Sequence, residues 1–252
     1  MGPITIAWHG IFTAVGIFFG VALPVHLLRP RVAEDETYAV ATWGVVGGIL
    51  GARVVHVVDR WDLYADHPEQ ILAIWTGGIA IWGAIIGGVL AGYLVARRRG
   101  FPIGAGADAA APGLALGMAI GRIGDIINGE HHAVPCSGLP WCVGYTDPNT
   151  LGQPGPVHPA VAYEMLLDLA AVGVMVWLLR HGAGRIREGA IFWLWVLYYG
   201  VGRFLISFLR IGDPTSLLGL RQDQLISLAA VIVAIPILTL ISVVPRRERL
   251  AA

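Results

Sequence analysis

Residues 121–130, GRIGDIINGE, close an apolar stretch yet carry Arg122, Asp125, Asn128 and Glu130. A guanidinium is a planar fork of donors that matches a carboxylate or a phosphate. Carboxylates beside it can orient it or move a proton. Arg122, Asp125 and Asn128 are spaced by three, so they share one face if this segment is helical. A second set lies in LYYGVGRFLISFLRIGDP, where Tyr199, Arg203, Ser207 and Arg210 recur at i, i+4, i+8 and i+11. A third, HPAVAYE, supplies His158, Tyr163 and Glu164, and His9 stands near the start of the chain. Several arginines with hydroxyl, imidazole and carboxylate neighbours point to binding, and to chemistry, at an anionic phosphate group.

The elements that must carry these residues are membrane spans. The chain has 252 residues, is 56% hydrophobic and only 13% charged, and has a mean hydropathy of +0.69; a soluble domain carries about 25% charged residues. Seven apolar stretches approach the roughly 20 residues a spanning helix needs: 4–28, 38–58, 71–96, 108–128, 157–179, 190–209 and 225–244. Lipid obliges each backbone to satisfy its own hydrogen bonds, so these predict an all-α integral membrane protein, one polytopic domain over 1–252. The first span has no basic residue before it and no small-residue cleavage site after it, and reads as a retained helix.

Every basic residue is an arginine, which excludes a retinal Schiff-base lysine. With the N-terminus outside, the cytoplasmic ends and loops hold Arg29, Arg31, Arg97, Arg98, Arg99, Arg180, Arg185, Arg187, Arg246, Arg247 and Arg249, against Arg60 and Arg221 outside. That bias predicts seven spans with the N-terminus out and the C-terminus cytoplasmic. Four arginines remain in or at the ends of spans, each costing about 2.5–3.5 kcal/mol at a helix centre and so needing a partner. Arg53, with no motif around it, is expected in a structural ion pair. Arg122, Arg203 and Arg210 fall at one depth near the outer leaflet, with His9, His158, Tyr163 and Glu164. Pairs such as Gly16/Gly20, Gly47/Gly51, Gly83/Gly87 and Gly117/Gly121 have the spacing that lets helices approach closely. The longest outer loop, 129–156, is rich in Pro and Gly and holds both cysteines, Cys136 and Cys142, either as a disulfide or as two thiols. Neither has zinc-like spacing to a partner ligand, and no metal is expected.

At this point the residues resemble a family. GRIGDIINGE is similar to GRxGNFxNxExxG, the signature of the prolipoprotein diacylglyceryl transferases. WHG at 8–10, GGIAIWGAIIGG at 77–88, AAPGLALGMAIGR before the signature, HPAVAYE at 158–164, YGVGRFLISFLRIGDP at 199–214 and RQDQLISL around Gln224 fall in the family's order. The resemblance implies transfer of the sn-1,2-diacylglyceryl group of phosphatidylglycerol to the lipobox cysteine of a preprolipoprotein, with glycerol 1-phosphate leaving and a thioether remaining. It implies a bacterial cytoplasmic membrane enzyme whose site faces outward and which needs no cofactor or metal. Its partners are phosphatidylglycerol, preprolipoproteins and the bilayer, with no nucleic acid. It assigns Arg122 and Arg203 to catalysis, and His9 and Glu130 join them as candidate catalytic residues for the thiol proton. To substrate binding it assigns Asp125, Asn128, Gly129, Tyr199, Arg210, His158, Glu164, Asp108 and Gln224.

The departures matter as much. The family often has Tyr where His9 stands, His where Trp82 stands and Glu where Ser207 stands; Asp125 replaces the signature's first Asn, Ile126 its Phe and Ala133 its final Gly. Trp82 cannot accept a proton, so His9, Glu130 or the His131/His132 pair takes the thiol proton, or the arginines lower the thiol pKa. The alternatives are a catalytically altered homologue and an anionic-lipid-binding or transport protein. The metal motif of the CDP-alcohol phosphatidyltransferases is absent, and no matched pair of broken helices suggests a transporter.

Overall fold

The computed structural model describes residues 8–73, 78, 80–182, 184–211, 215 and 219–243. Residues 4–7 of the first expected span, 74–77 and 79 of the third, position 244 of the last, and Arg246, Arg247 and Arg249 lie outside the described residues. Among those described there is no strand, and eight α-helices follow in order: α1 (Trp8–Leu28), α2 (Glu34–Asp59), α3 (Trp61–Tyr64), α4 (Ile81–Arg98), α5 (Ile103–Asn128), α6 (Ala160–His181), α7 (Ala190–Ser207) and α8 (Gln222–Val243). Six of them, α1, α2, α5, α6, α7 and α8, are long and apolar enough to cross a membrane. The chain is an all-helical, multi-pass membrane protein.

Its surface reads as lipid-facing. Phe18, Ile232 and Leu240 are among many large apolar side chains left exposed. Pro24, Pro112 and Pro236 sit inside α1, α5 and α8. Membrane helices tolerate such prolines because neighbouring groups satisfy the freed carbonyls.

The chain divides into two compact units, residues 25–106 and residues 1–24 with 107–252. In the first, α2 and α4 meet backbone to backbone: a Cβ on Gly51 would collide with the Gly83 carbonyl, and one on Gly83 with that of Gly51. Within the third expected span, a short 3-10 helix ends at Leu72 and α4 begins at Ile81. Arg53 gathers the described residues before α4: its guanidinium donates to the carbonyls of Ile71 (2.8 Å), Gln70 (2.5 Å), Ala73 (3.4 Å) and Gly78 (2.7 Å) and lies over the Tyr64 ring. A buried guanidinium here does the work that helical N–H groups do elsewhere, satisfying main-chain acceptors.

The second unit holds α6, α7, α8 and the parts of α1 and α5 that carry the site. Ala111 and Ala115 of α5, Ala171 and Met175 of α6, and Ile191 and Trp195 of α7 form its buried core. The loop 129–159 folds over one end. Val134 donates to the Leu209 carbonyl and Ile211 to that of His132, tying the loop to the end of α7. Cys136 and Cys142 are joined as a disulfide.

Candidate active site

The turn at the end of α5 explains why GRIGDIINGE is so polar. Gly129 has φ +72°, which costs glycine little. The Gly129 N–H reaches the Ile126 carbonyl and the Glu130 N–H reaches that of Asp125, the paired bonds that end a helix in a Schellman turn. A Cβ on Gly129 would also strike the Gly152 backbone. Gly129 is thus a helix stop; the polar residues just before and after it are held at a fixed spacing.

The centre of the cluster is Glu164, which is 1% exposed. Its carboxylate takes Arg122 from α5 at 2.7 Å, Arg210 from beyond α7 at 3.1 Å, and Arg203 from α7 in close contact. These are the three arginines that the spacing placed at one depth. Arg203 also reaches Asp223 (3.3 Å), Arg122 reaches Asp125 (2.9 Å), and Tyr199 lies against Arg122. Arg221 donates to the carbonyls of Ser207 and Arg210 at 2.5 Å each, covering the end of α7.

His9 of α1 joins the cluster through a 2.7 Å hydrogen bond from Nδ1 to Asp125. Glu130 is oriented by the Asn128 amide at 2.9 Å, with its other oxygen 4.0 Å from His9. His131 adopts φ +66°, a conformation a non-glycine residue holds only where its surroundings enforce it. Its Nδ1 accepts from Arg210 at 2.8 Å. Burial, with Arg210 and Arg122 adding to it, pushes the His131 imidazole down to about 4. A cavity of about 80 Å³ lies beside this group, lined by Glu130, His131, His132, Tyr145 and His158 among others. His158 itself faces the Tyr163 hydroxyl at 3.4 Å.

Two expected substrate residues lie in other settings. Asp108 is fourteen residues before Arg122 on α5, about 21 Å along the axis. Its buried carboxylate accepts from the Gly189 and Phe192 N–H groups, capping the start of α7. Gln224 is buried and accepts from the Arg221 N–H at the start of α8.

The geometry also adds residues beyond the expected arginine partners, His131 being expected only as a candidate base. His131 and Asp223 reach the arginines directly. Asp168, one turn along α6 from Glu164, is fully buried, with neither oxygen hydrogen-bonded among the described residues. The i+4 spacing from Glu164 is the one sequence signal for Asp168.

His9, Asp125 and Glu130 offer ligand atoms within 4.8 Å of one another, an arrangement that could hold a metal ion. The second Asp125 oxygen is already paired with Arg122, and a resident guanidinium disfavours a further cation beside it.

The family model described as prolipoprotein diacylglyceryl transferase matches residues 1–240. This chain belongs to the prolipoprotein diacylglyceryl transferase family. Among its curated relatives is the phosphatidylglycerol–prolipoprotein diacylglyceryl transferase of Trichormus variabilis, 38% identical over 92% of this chain and 84% of that protein. The enzyme of the same name from Gloeobacter violaceus is 38% identical over 92% and 87%. The phosphatidylglycerol–prolipoprotein diacylglyceryl transferase 1 of Streptomyces coelicolor is 34% identical over 93% of this chain and 69% of its own length. In this prolipoprotein diacylglyceryl transferase family member, one buried carboxylate holds three arginines.

Proposed function

We propose that the chain transfers the sn-1,2-diacylglyceryl group of phosphatidylglycerol to the cysteine thiol of a prolipoprotein lipobox, releasing glycerol 1-phosphate and leaving a thioether. The observation that carries this reading is the convergence of Arg122, Arg203 and Arg210 on Glu164 in a chain of this family. When sulfur attacks the glyceryl carbon, the departing phosphate gains negative charge. Preorganised donors in a poorly hydrated site stabilise that charge far better than water does.

Gross charge does not draw the headgroup in. Four guanidiniums (Arg122, Arg203, Arg210, Arg221) are balanced by four carboxylates (Asp125, Glu130, Glu164, Asp223). A phosphodiester binds by replacing a flanking carboxylate on a guanidinium fork, and Asp125 and Asp223 are the flanking ones. Glu164 stays behind as the anchor. Within this reading Arg122 and Arg203 hold the phosphate, Arg210 and Tyr199 support them, and Asn128 and Glu130 shape the thiol side. His158 belongs to the cavity wall.

The enzyme sits in the bacterial cytoplasmic membrane with seven spans, α4 supplying the third, its N-terminus outside and its site toward the outer face. The arginine bias supports this orientation. So does the disulfide in the loop over the site, because disulfides persist in oxidising compartments outside the cytoplasm.

The test is to reconstitute the protein with labelled phosphatidylglycerol and a lipobox peptide. A thioether-linked diacylglyceryl peptide together with free glycerol 1-phosphate is the expected product. Lipid that binds the protein and stays unreacted would make it an anionic-lipid-binding or transport protein.

A further inference from the structure

The reaction proposed above needs a group that takes the thiol proton, since a thiol of pKa about 8.5 is only a few per cent thiolate at neutral pH. Besides His132, whose Nε2 donates to the Leu151 carbonyl at 2.8 Å, three side chains in the cluster could accept it. His131 is spent. Its Nδ1 lone pair accepts from Arg210, so the ring hydrogen is on Nε2, which faces Asp125 at 3.8 Å. Glu130 is held by Asn128 on one oxygen, and a carboxylate is intrinsically a much weaker base than an imidazole.

His9 is different. Asp125, 3% exposed, gives one oxygen to Arg122 at 2.9 Å and the other to His9 Nδ1 at 2.7 Å. An ionised carboxylate only accepts, so Nδ1 carries the hydrogen and Nε2 is left with its lone pair. Nε2 has no hydrogen-bond partner among the described residues, and the His9 side chain is 50% exposed. The contact depends on Gly124: a Cβ there would lie 2.8 Å from the His9 Cα, so only a glycine lets α1 come this close to α5. The charged and titratable groups facing His9 are Asp125 and Glu130, with Arg122 and His131 on the far side of Asp125.

We infer that His9 and Asp125 form a proton-accepting dyad, in which His9 Nε2 takes the thiol proton and Asp125 is the positioning residue that fixes the ring's tautomer. The inference rests on the transferase reading. The S–H proton passes to Nε2 as the sulfur pair forms the S–C bond to the glyceryl carbon. The C–O bond breaks and its electrons stay on the oxygen of the departing glycerol phosphate, to which the imidazolium then returns a proton through water. Asp125 couples the two halves of the reaction. When the phosphate draws Arg122 away, the Asp125 charge is released to stabilise the imidazolium.

The experiment compares His9→Tyr and Asp125→Asn with the unaltered protein, in proteoliposomes of phosphatidylglycerol, using two peptides. One carries the lipobox cysteine; the other carries selenocysteine, whose selenol is already ionised at neutral pH and needs no base. With the thiol at pH 7, His9→Tyr should slow transfer about 10²–10⁴-fold, with part of the loss recovered as pH rises toward 8.5. Asp125→Asn should slow it in the same direction, because the amide can donate to Nδ1 and select the wrong tautomer. With the selenol, both variants should approach the unaltered rate. Near-normal thiol turnover by His9→Tyr at pH 7 overturns the dyad. So does an equal loss with thiol and selenol, which marks a purely structural role; if one variant does not assemble, the other decides by the same comparison. A lack of thioether from the unaltered protein would overturn the transferase reading itself, and the dyad with it.

Discussion

Glu164 of α6 and Arg203 of α7, thirty-nine residues apart in sequence, form a direct ion pair in which Glu164 is almost wholly buried. Arg122 and Arg210 share the same carboxylate. Removing one partner of a buried pair leaves uncompensated charge and typically costs about 3–5 kcal/mol. Glu164→Ala should therefore lower the melting temperature in detergent sharply and abolish transfer. Glu164→Gln, which keeps the shape and one acceptor, should unfold later than Glu164→Ala. An Ala variant as stable as the unaltered protein would remove Glu164 from the role of anchor.

Asp108 supplies the contrasting case. Its carboxylate caps α7 through the Gly189 and Phe192 N–H groups, and losing such a cap costs about 0.5–2 kcal/mol. Asp108→Ala should lower thermal stability while leaving KM for phosphatidylglycerol unchanged in the folded fraction. A large rise in KM with little loss of stability would return Asp108 to the binding site.

The arginine cluster is legible in the residue pattern alone. The period of three to four along 199–207 and 122–128 is helical and places Arg203 and Arg122, whereas Arg210 lies three residues past the end of α7; the folded chain brings all three to one point. Helix ends are less legible. In span three a 3-10 helix ends at Leu72 and α4 starts at Ile81, and Arg53 satisfies the carbonyls of Gln70, Ile71 and Gly78 before α4, a tertiary contact no local pattern encodes. The same holds for Asp108 and Gln224: their motif positions suggest substrate, whereas the backbone N–H groups they accept from, Gly189 and Phe192 for Asp108 and Arg221 for Gln224, come from helix packing. The contact of His9 with Asp125 joins residues 116 apart and depends on the missing side chain of Gly124.

His131 gives a pH signature. Its folded value of about 4 lies below the ordinary 6.5, so between these the unfolded chain binds a proton that the folded one refuses. Unfolded protein then holds more protons, and stability falls as pH drops from about 6.5 toward 4. Above 6.5 this effect is absent. Asn tolerates positive φ and can still accept from Arg210, so His131→Asn should flatten the acid side of the stability curve. Thermal unfolding between pH 4 and 7 measures it; identical curves for both proteins would contradict the account.

The Cys136–Cys142 disulfide closes a short loop between residues six apart in sequence. A double Cys→Ser variant should lose about 2 kcal/mol of loop stability on the chain-entropy account and keep most of its turnover. Complete loss of transfer in a well-folded double variant would place the disulfide in the chemistry.

The central claim is that Arg203 stabilises the phosphate charge that develops as the glyceryl carbon passes to sulfur. Single-turnover transfer to a lipobox peptide, with Arg203→Ala and Arg203→Lys inserted in the same membranes, tests it most directly. Losing one such donor group typically costs about 10²–10³-fold. Arg203→Ala should fall by at least that much, and Lys should recover little of it, because a compact ammonium lacks the bidentate fork. A rate for Arg203→Ala within a few-fold of the unaltered protein would contradict the account.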